Sequence, residues 1–172
     1  MKKHYPFLFS LSFLALCLHA GETGAAVKNT LRWYAYNEGI SRARAQQRPV
    51  IIDFYASWCH WCKVMERETF SNEQVKKMLA ADYIAIRIDM ESNTSIRLKG
   101  RTLAPQEFAS MMGVRGLPTL AFLDRNGEPI TAIPGFIKPD ILLPLLNYIR
   151  DECYKRQLSF QDYMKQKTDC KR

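Results

Sequence analysis

Two kinds of apolar run alternate along this chain. Residues 49–55 (PVIIDFY) are continuously apolar and rich in β-branched side chains apart from Asp53, the pattern of a central strand buried on both faces. Residues 83–88 (YIAIRI) repeat that pattern. Between them Val64, Met65, Phe70, Val75, Met78 and Leu79 recur mainly at three- and four-residue spacings. This spacing predicts a helix over 63–80, bent near Ser71, where Ser71-Asn72-Glu73 offers a fresh helix start. Upstream, 37–47 (NEGISRARAQQ) has few strand formers and predicts a short helix closed off by Pro49, with Arg42, Arg44 and Arg48 on its solvated face.

Downstream, the polar stretch 89–101 predicts a loop, and 105–112 a short helix ended by Gly113. Residues 119–123 and 129–133 bracket Asp124-Arg125-Asn126-Gly127, which predicts a β-hairpin turning at Asn-Gly. From Asp140 onward Leu142, Leu145, Leu146, Ile149 and Cys153 share one helical face, with Pro144 tolerable only where the helix starts near it or kinks. Ser159 with Asp162 three residues later predicts a second, capped helix to about Lys167. The alternation implies an α/β domain over 31–150, with a central mixed sheet and helices on both faces, followed by a C-terminal helical tail over 151–172.

The first twenty residues read as an address. Lys2, Lys3 and His4 precede a twelve-residue apolar run, 7–18, broken only by Ser10 and Ser12. That is the length of a secretory h-region and too short to cross a bilayer. Cleavage after Ala20 is favoured over Ala25 or Ala26, leaving 21–30 as a linker. The expected location is periplasmic or otherwise exported.

Composition adds limits. With 172 residues, 47% hydrophobic and 24% charged, the chain can bury a sizeable core and lies outside disordered, collagen-like and coiled-coil compositions. Its net charge of +8 falls to +6 once Lys2 and Lys3 leave with the leader. No concentrated basic run or aromatic interleaving accompanies that charge, which argues against nucleic acid as a partner. Of the five cysteines, Cys17 also leaves, and Cys59, Cys62, Cys153 and Cys170 remain, an even number in an oxidising compartment. Cys153 and Cys170 are too far apart for the second half of a zinc ribbon. A structural disulfide clamping the tail is their first reading, with two unpaired thiols or a second redox pair as the alternatives. Met65 and Met78 fall on an apolar helix face, so the seven methionines read as core packing and not as copper ligands. Neither a metal nor a cofactor beyond a redox disulfide is expected.

The chemistry concentrates in Trp58-Cys59-His60-Trp61-Cys62. A C-x-x-C at a strand-to-helix junction puts its first cysteine at a helix N-terminus, where unpaired amides and the dipole favour the thiolate, the nucleophilic form. Two intervening residues let Cys62 reach Cys59 within one turn and resolve a mixed disulfide. Asp53, six residues earlier in an apolar strand, is costly to bury ionised, so its pKa should rise and it can exchange protons with Cys62; the alternative is a hydrated strand-edge acid. Glu66 lies one turn beyond Cys62, either as a second acid or as a surface glutamate. A cationic His60 would stabilise the thiolate and make the pair more oxidising, whereas an exposed spacer would do little, so this motif leaves the direction of electron flow open. Trp58 and Trp61 read as a hydrophobic collar.

The strings Asp53-Phe54-Tyr55-Ala56, Trp58 to Lys63, and Gly116-Leu117-Pro118-Thr119 before the hairpin resemble the thioredoxin superfamily over about 31–149. Arg48-Pro49-Val50, Cys62-Lys63-Val64-Met65-Glu66 and Thr69-Phe70-Ser71 are most similar to the C-terminal periplasmic domain of the disulfide reductase DsbD and related secreted thioredoxins. The same C-x-x-C string also resembles the thioredoxin-like part of the longer spermatogenesis-associated proteins. The resemblance implies a thioredoxin fold, a cis peptide between Leu117 and Pro118 facing the cysteines, and substrate segments pairing with the backbone at Leu117, Pro118 and Thr119. It also implies that Asp53 and Glu66 manage protons. The lysine that many thioredoxins carry on the next strand is replaced by Ala85, and the orientation of nearby Arg87 is open.

These readings combine into an exported protein-disulfide reductase acting as a monomer on exported thiols or disulfides and recharged by a membrane electron donor of DsbD type. An oxidase or isomerase using the same residues, or a copper carrier using Cys59, Cys62 and His60, are the alternatives.

Overall fold

The computed structural model describes residues 1–2, 30–166 and 170. The leader and linker expected over 1–30 thus lie, but for residues 1, 2 and 30, outside the described residues. In chain order the elements are β1 (Trp33–Tyr34), α1 (Tyr36–Gln46), β2 (Val50–Tyr55), α2 (His60–Met65), a π-helical turn (Glu66–Phe70), α3 (Glu73–Asp82), β3 (Ile84–Asp89), β4 (Ile96–Leu98), β5 (Arg101–Leu103), α4 (Pro105–Met111), β6 (Thr119–Leu123), β7 (Pro129–Pro134), α5 (Pro139–Arg150), a 3₁₀ turn (Cys153–Arg156) and α6 (Phe160–Gln166). The main sheet runs β1-β3-β2-β6-β7. Its first three strands are parallel, and β6 and β7 are antiparallel to their neighbours.

Both faces of the sheet are covered, as the unbroken apolar strands require. Val50, Ile52, Phe54, Ile84, Ile86 and Ile88 point to the side where α1 and α4 bring Tyr36, Ile40 and Phe108. Ile51, Ala85, Leu120 and Phe122 point to the other, where α3 and α5 bring Val75, Leu79, Leu142 and Leu146. Side chains alternate with a period of two, so Asp53 belongs with Ile51 and Arg87 with Ala85, on the face beneath α2. The parallel register sets Asp53 directly beside Arg87. On the opposite face α1 reaches the sheet through Gly39, where a Cβ would stand 2.4 Å from Ile86 Cγ1.

Two local expectations need correction and two gain detail. The stretch 89–101 is not all loop: Ile96 and Leu103, each 2% exposed, pair across a small β4–β5 hairpin that turns at Lys99 and Gly100 with φ of 48° and 82°. The helix over 63–80 restarts at Asn72, within the expected Ser71-Asn72-Glu73, with Asn72 Oδ1 accepting from the amides of Gln74 and Val75 at 3.0 and 3.2 Å; the detail added is a π turn that parts α2 from α3. Arg48 is not a solvated residue; its Nη2 donates to the carbonyls of Ala80 (2.8 Å), Leu79 (3.3 Å) and Tyr83 at the end of α3. Pro144 sits inside α5, five residues past its first position. The buried stripe of Leu142, Leu145, Leu146 and Ile149 explains the tolerance. Each such side chain contributes about 1.5–3 kcal/mol on burial, against about 3 kcal/mol for an interior proline.

The tail docks on that helix. Ser159 Oγ accepts from the Asp162 amide at 3.1 Å and donates to its carboxylate at 2.7 Å, capping α6. Phe160 and Tyr163 meet the Tyr148 ring with centroids 5.5 and 5.4 Å apart. Cys153 and Cys170 are disulfide-bonded, with Cα atoms 5.7 Å apart.

Candidate active site around the Cys59 and Cys62 disulfide

Strand β2 ends at Tyr55 and α2 begins at His60, so Cys59 is the residue that caps the helix. Its Sγ is bonded to Cys62 Sγ and accepts from the Cys62 amide at 3.1 Å. The two cysteines are similarly shielded, 4% and 8% exposed. Access therefore does not distinguish them; position does. Cys59 stands at the unpaired amides of the helix start, while Cys62 faces a cleft of about 200 Å³ whose wall also contains Asp53, Lys63, Glu66 and Arg87.

Asp53 is buried, 3% exposed. Its Oδ2 accepts from Arg87 Nε at 3.0 Å, and its Oδ1 is buried with no hydrogen-bond partner among the described residues. Burial pushes its pKa up to about 6, against the attraction and hydrogen bond of Arg87, with the negative charge of Glu66 adding to the rise. Glu66 is exposed and accepts from Arg87 Nη2 at 2.5 Å. The guanidinium that joins the two acids lies 4.2 Å from the centre of the Trp33 ring.

The surface around the disulfide is aromatic. Trp58 and Trp61 are 68% and 55% exposed, and Trp61 stacks on Phe136 with centroids 5.9 Å apart. His60, also exposed, meets Trp61 edge-on. Leu117 packs against Ala56, Cys59 and Cys62, and the Leu117–Pro118 peptide is cis. Gly116 is exposed and Leu117 half-buried, whereas Pro118 and Thr119 are buried. Thr119 is 1% exposed and donates from Oγ1 to the Gly116 carbonyl at 2.7 Å, so it braces this loop from inside.

Residues 36–150, more than half of the chain, match the family model for the thioredoxin-like domain. The chain belongs to the thioredoxin-like domain family. This thioredoxin-like protein is similar to the thiol:disulfide interchange protein DsbD of Yersinia enterocolitica, 37% identical over 100 residues that make up 55% of this chain and 15% of that protein. It is also similar to human spermatogenesis-associated protein 20, 32% identical over 69 residues, 40% of this chain and 9% of that protein. The chain thus spans a small part of the length of these relatives. Among solved structures, a thioredoxin from Thermus thermophilus superposes with a TM-score of 0.57 at 27% identity, covering 73% of this chain and 89% of that one. The reduced C-terminal domain of Neisseria meningitidis DsbD superposes at 0.53 with 22% identity, covering 66% and 92%, and shares the fold.

Three contributors to this thioredoxin-like site were not assigned from sequence. The sequence leaves the direction of Arg87 open; the parallel register with Asp53 sets it. Trp33 lies on a two-residue strand, too short to produce a periodic signal. Glu91 sits in the polar stretch after β3, where its Oε2 accepts from Ser57 N at 3.0 Å and Ser57 Oγ at 2.6 Å, anchoring the loop before Cys59. A charged residue in a polar segment carries no sequence signal for such a contact.

Proposed function

We propose that this protein is an exported thiol:disulfide oxidoreductase that reduces disulfides in exported proteins through Cys59 and Cys62. The observation that carries the reading is the arrangement of the pair, one sulfur capping α2 and the other sharing a cleft with a buried acid. In the dithiol form the Cys59 thiolate attacks a substrate disulfide. A Cys59–substrate bond forms, the substrate S–S bond breaks, and the departing thiolate is protonated. Cys62 then gives its proton to Asp53 and attacks Cys59 Sγ, releasing the second substrate thiol and leaving the Cys59–Cys62 disulfide. Two electrons pass from the dithiol to the substrate.

The loop at exposed Gly116 and half-buried Leu117 offers an extended substrate segment backbone to pair with beside the sulfurs, while Trp58, Trp61 and Phe136 give it an apolar bed. Similarity to DsbD supports the reducing direction and recharging by a membrane dithiol donor of that type. Export is supported by the leader-like sequence of residues 1–20 and by the tail disulfide, which suits an oxidising compartment. In this reading the protein acts as a monomer and the Cys59–Cys62 pair carries the electrons.

The test is the equilibrium reduction potential of Cys59–Cys62 in a Cys153→Ser, Cys170→Ser background, read by tryptophan fluorescence. A value near about −270 mV, together with dithiothreitol-driven insulin reduction, supports a reductase. A value near about −120 mV overturns the direction and makes the protein an oxidant.

A further inference from the structure

One cation serves both acids of the site, and its surroundings hold it there. Arg87 reaches Asp53 through Nε and Glu66 through Nη2. Its guanidinium lies between the rings of Trp33 (4.2 Å), Tyr55 (5.2 Å) and Phe70 (5.7 Å). Trp33 is placed by β1, which pairs it with Ala85, two residues before Arg87 on the same face. A planar guanidinium can satisfy two carboxylates from fixed directions while stacking on aromatic faces; a lysine ammonium cannot hold that geometry.

We propose that Arg87 is the positioning residue of the site: by holding Asp53 through Oδ2 and anchoring itself on Glu66, it leaves Asp53 Oδ1 as the atom that receives the Cys62 proton. This rests on the thiol–disulfide function proposed above. Oδ2 is occupied by Arg87, whereas Oδ1 is buried without a hydrogen-bond partner among the described residues and belongs to a residue in the same cleft wall as Cys62. The titratable and charged groups around Asp53 are Arg87 on β3, Glu66 on the π turn, Cys62 and Lys63 on α2, and Tyr55 on its own strand. The neighbouring β6 position is Leu120. Among the described residues Arg87 is thus the one cation bonded to the acid, and Ala85, where many thioredoxins place a lysine, is a buried small residue.

The experiment follows the Asp53 carboxyl carbon by NMR from pH 3 to 10 in the disulfide form of the full chain, for wild type, Arg87→Gln and Arg87→Lys. Arg87→Gln removes the opposite charge, so the Asp53 midpoint should rise by about 1–3 pH units. Arg87→Lys keeps the charge and loses the two-point hold, so its midpoint should fall between those two. The pH dependence of mixed-disulfide resolution by Cys62 should move with the midpoint. An unmoved midpoint in Arg87→Gln overturns the proposal. If Arg87→Gln does not fold, a wild-type midpoint in Arg87→Lys overturns it instead. Failure of the two functions is separable: a wild type inactive in dithiol-driven disulfide reduction refutes the enzyme reading and the proton transfer with it, whereas an active wild type with an Asp53 midpoint indifferent to residue 87 refutes the role of Arg87 alone.

Discussion

Asp53 should make this protein less stable than it could be, and by an amount that depends on pH. Its pKa moves from 3.8 to about 6 on folding, chiefly through burial. The folded state therefore binds this proton more tightly than the unfolded chain, and between those two values it holds more protons. Stability from this group is highest below pH 3.8, falls as pH rises through the window, and is lowest above about 6. At about 1.4 kcal/mol for each factor of ten in proton affinity, ionised Asp53 costs about 3 kcal/mol at neutral pH. Asp53→Asn mimics the protonated acid and removes that cost. Urea unfolding of the disulfide form, followed by tryptophan fluorescence, should show the variant about 3 kcal/mol more stable than wild type at pH 7.5. The two should converge at pH 3.5. The variant should also resolve mixed disulfides more slowly, since Cys62 loses its proton acceptor. A variant of equal or lower stability at pH 7.5, or an advantage that persists unchanged at pH 3.5, would refute the reasoning.

Gly39→Ala places a methyl group against Ile86 and should lower the urea midpoint by the equivalent of about 1–3 kcal/mol with an unchanged slope; an undiminished midpoint counts against the close contact. Cys170→Ser opens a cross-link of sequence separation 17 and should cost about 3 kcal/mol of stability while leaving the Cys59–Cys62 potential unaltered, and a shifted potential would show the tail to be coupled to the site. Glu91→Ala removes the acceptor of Ser57 N and Oγ and should speed hydrogen exchange at the Ser57 amide, with global stability changed by no more than about 0.5 kcal/mol; an unaltered exchange rate would mean the loop is held elsewhere.

Where burial follows a strict period, the chain announced its structure. The apolar runs 49–55 and 83–88 became parallel neighbours, the Asn126-Gly127 hairpin formed with Asp124 Oδ1 accepting from the amides of Asn126 and Glu128, and Ser159 caps α6. Misses occurred where structure depends on contacts distant in sequence. The β4–β5 hairpin holds only two buried residues, Ile96 and Leu103, so polar neighbours concealed it. Arg48 looked solvated because the carbonyls it serves come from α3, more than thirty residues on. In the site, C-x-x-C spacing and one acid in an apolar strand suffice to mark Cys59, Cys62 and Asp53. The direction of the Arg87 side chain required strand register, which a single sequence does not state.

The rims of the main sheet bear on how such a protein handles incompletely folded partners. One rim is β1, only two residues long, and the other is β7, which begins with Pro129 and ends with Pro134. Prolines lack the amide needed to extend a ladder, and a two-residue strand offers almost nothing to copy, so both rims are blunted against adventitious strand addition. Under the proposed function, extended chains dock at Leu117, and open rims would gather them along the flanks as well. Blunted rims would confine such chains to one place, beside the sulfurs.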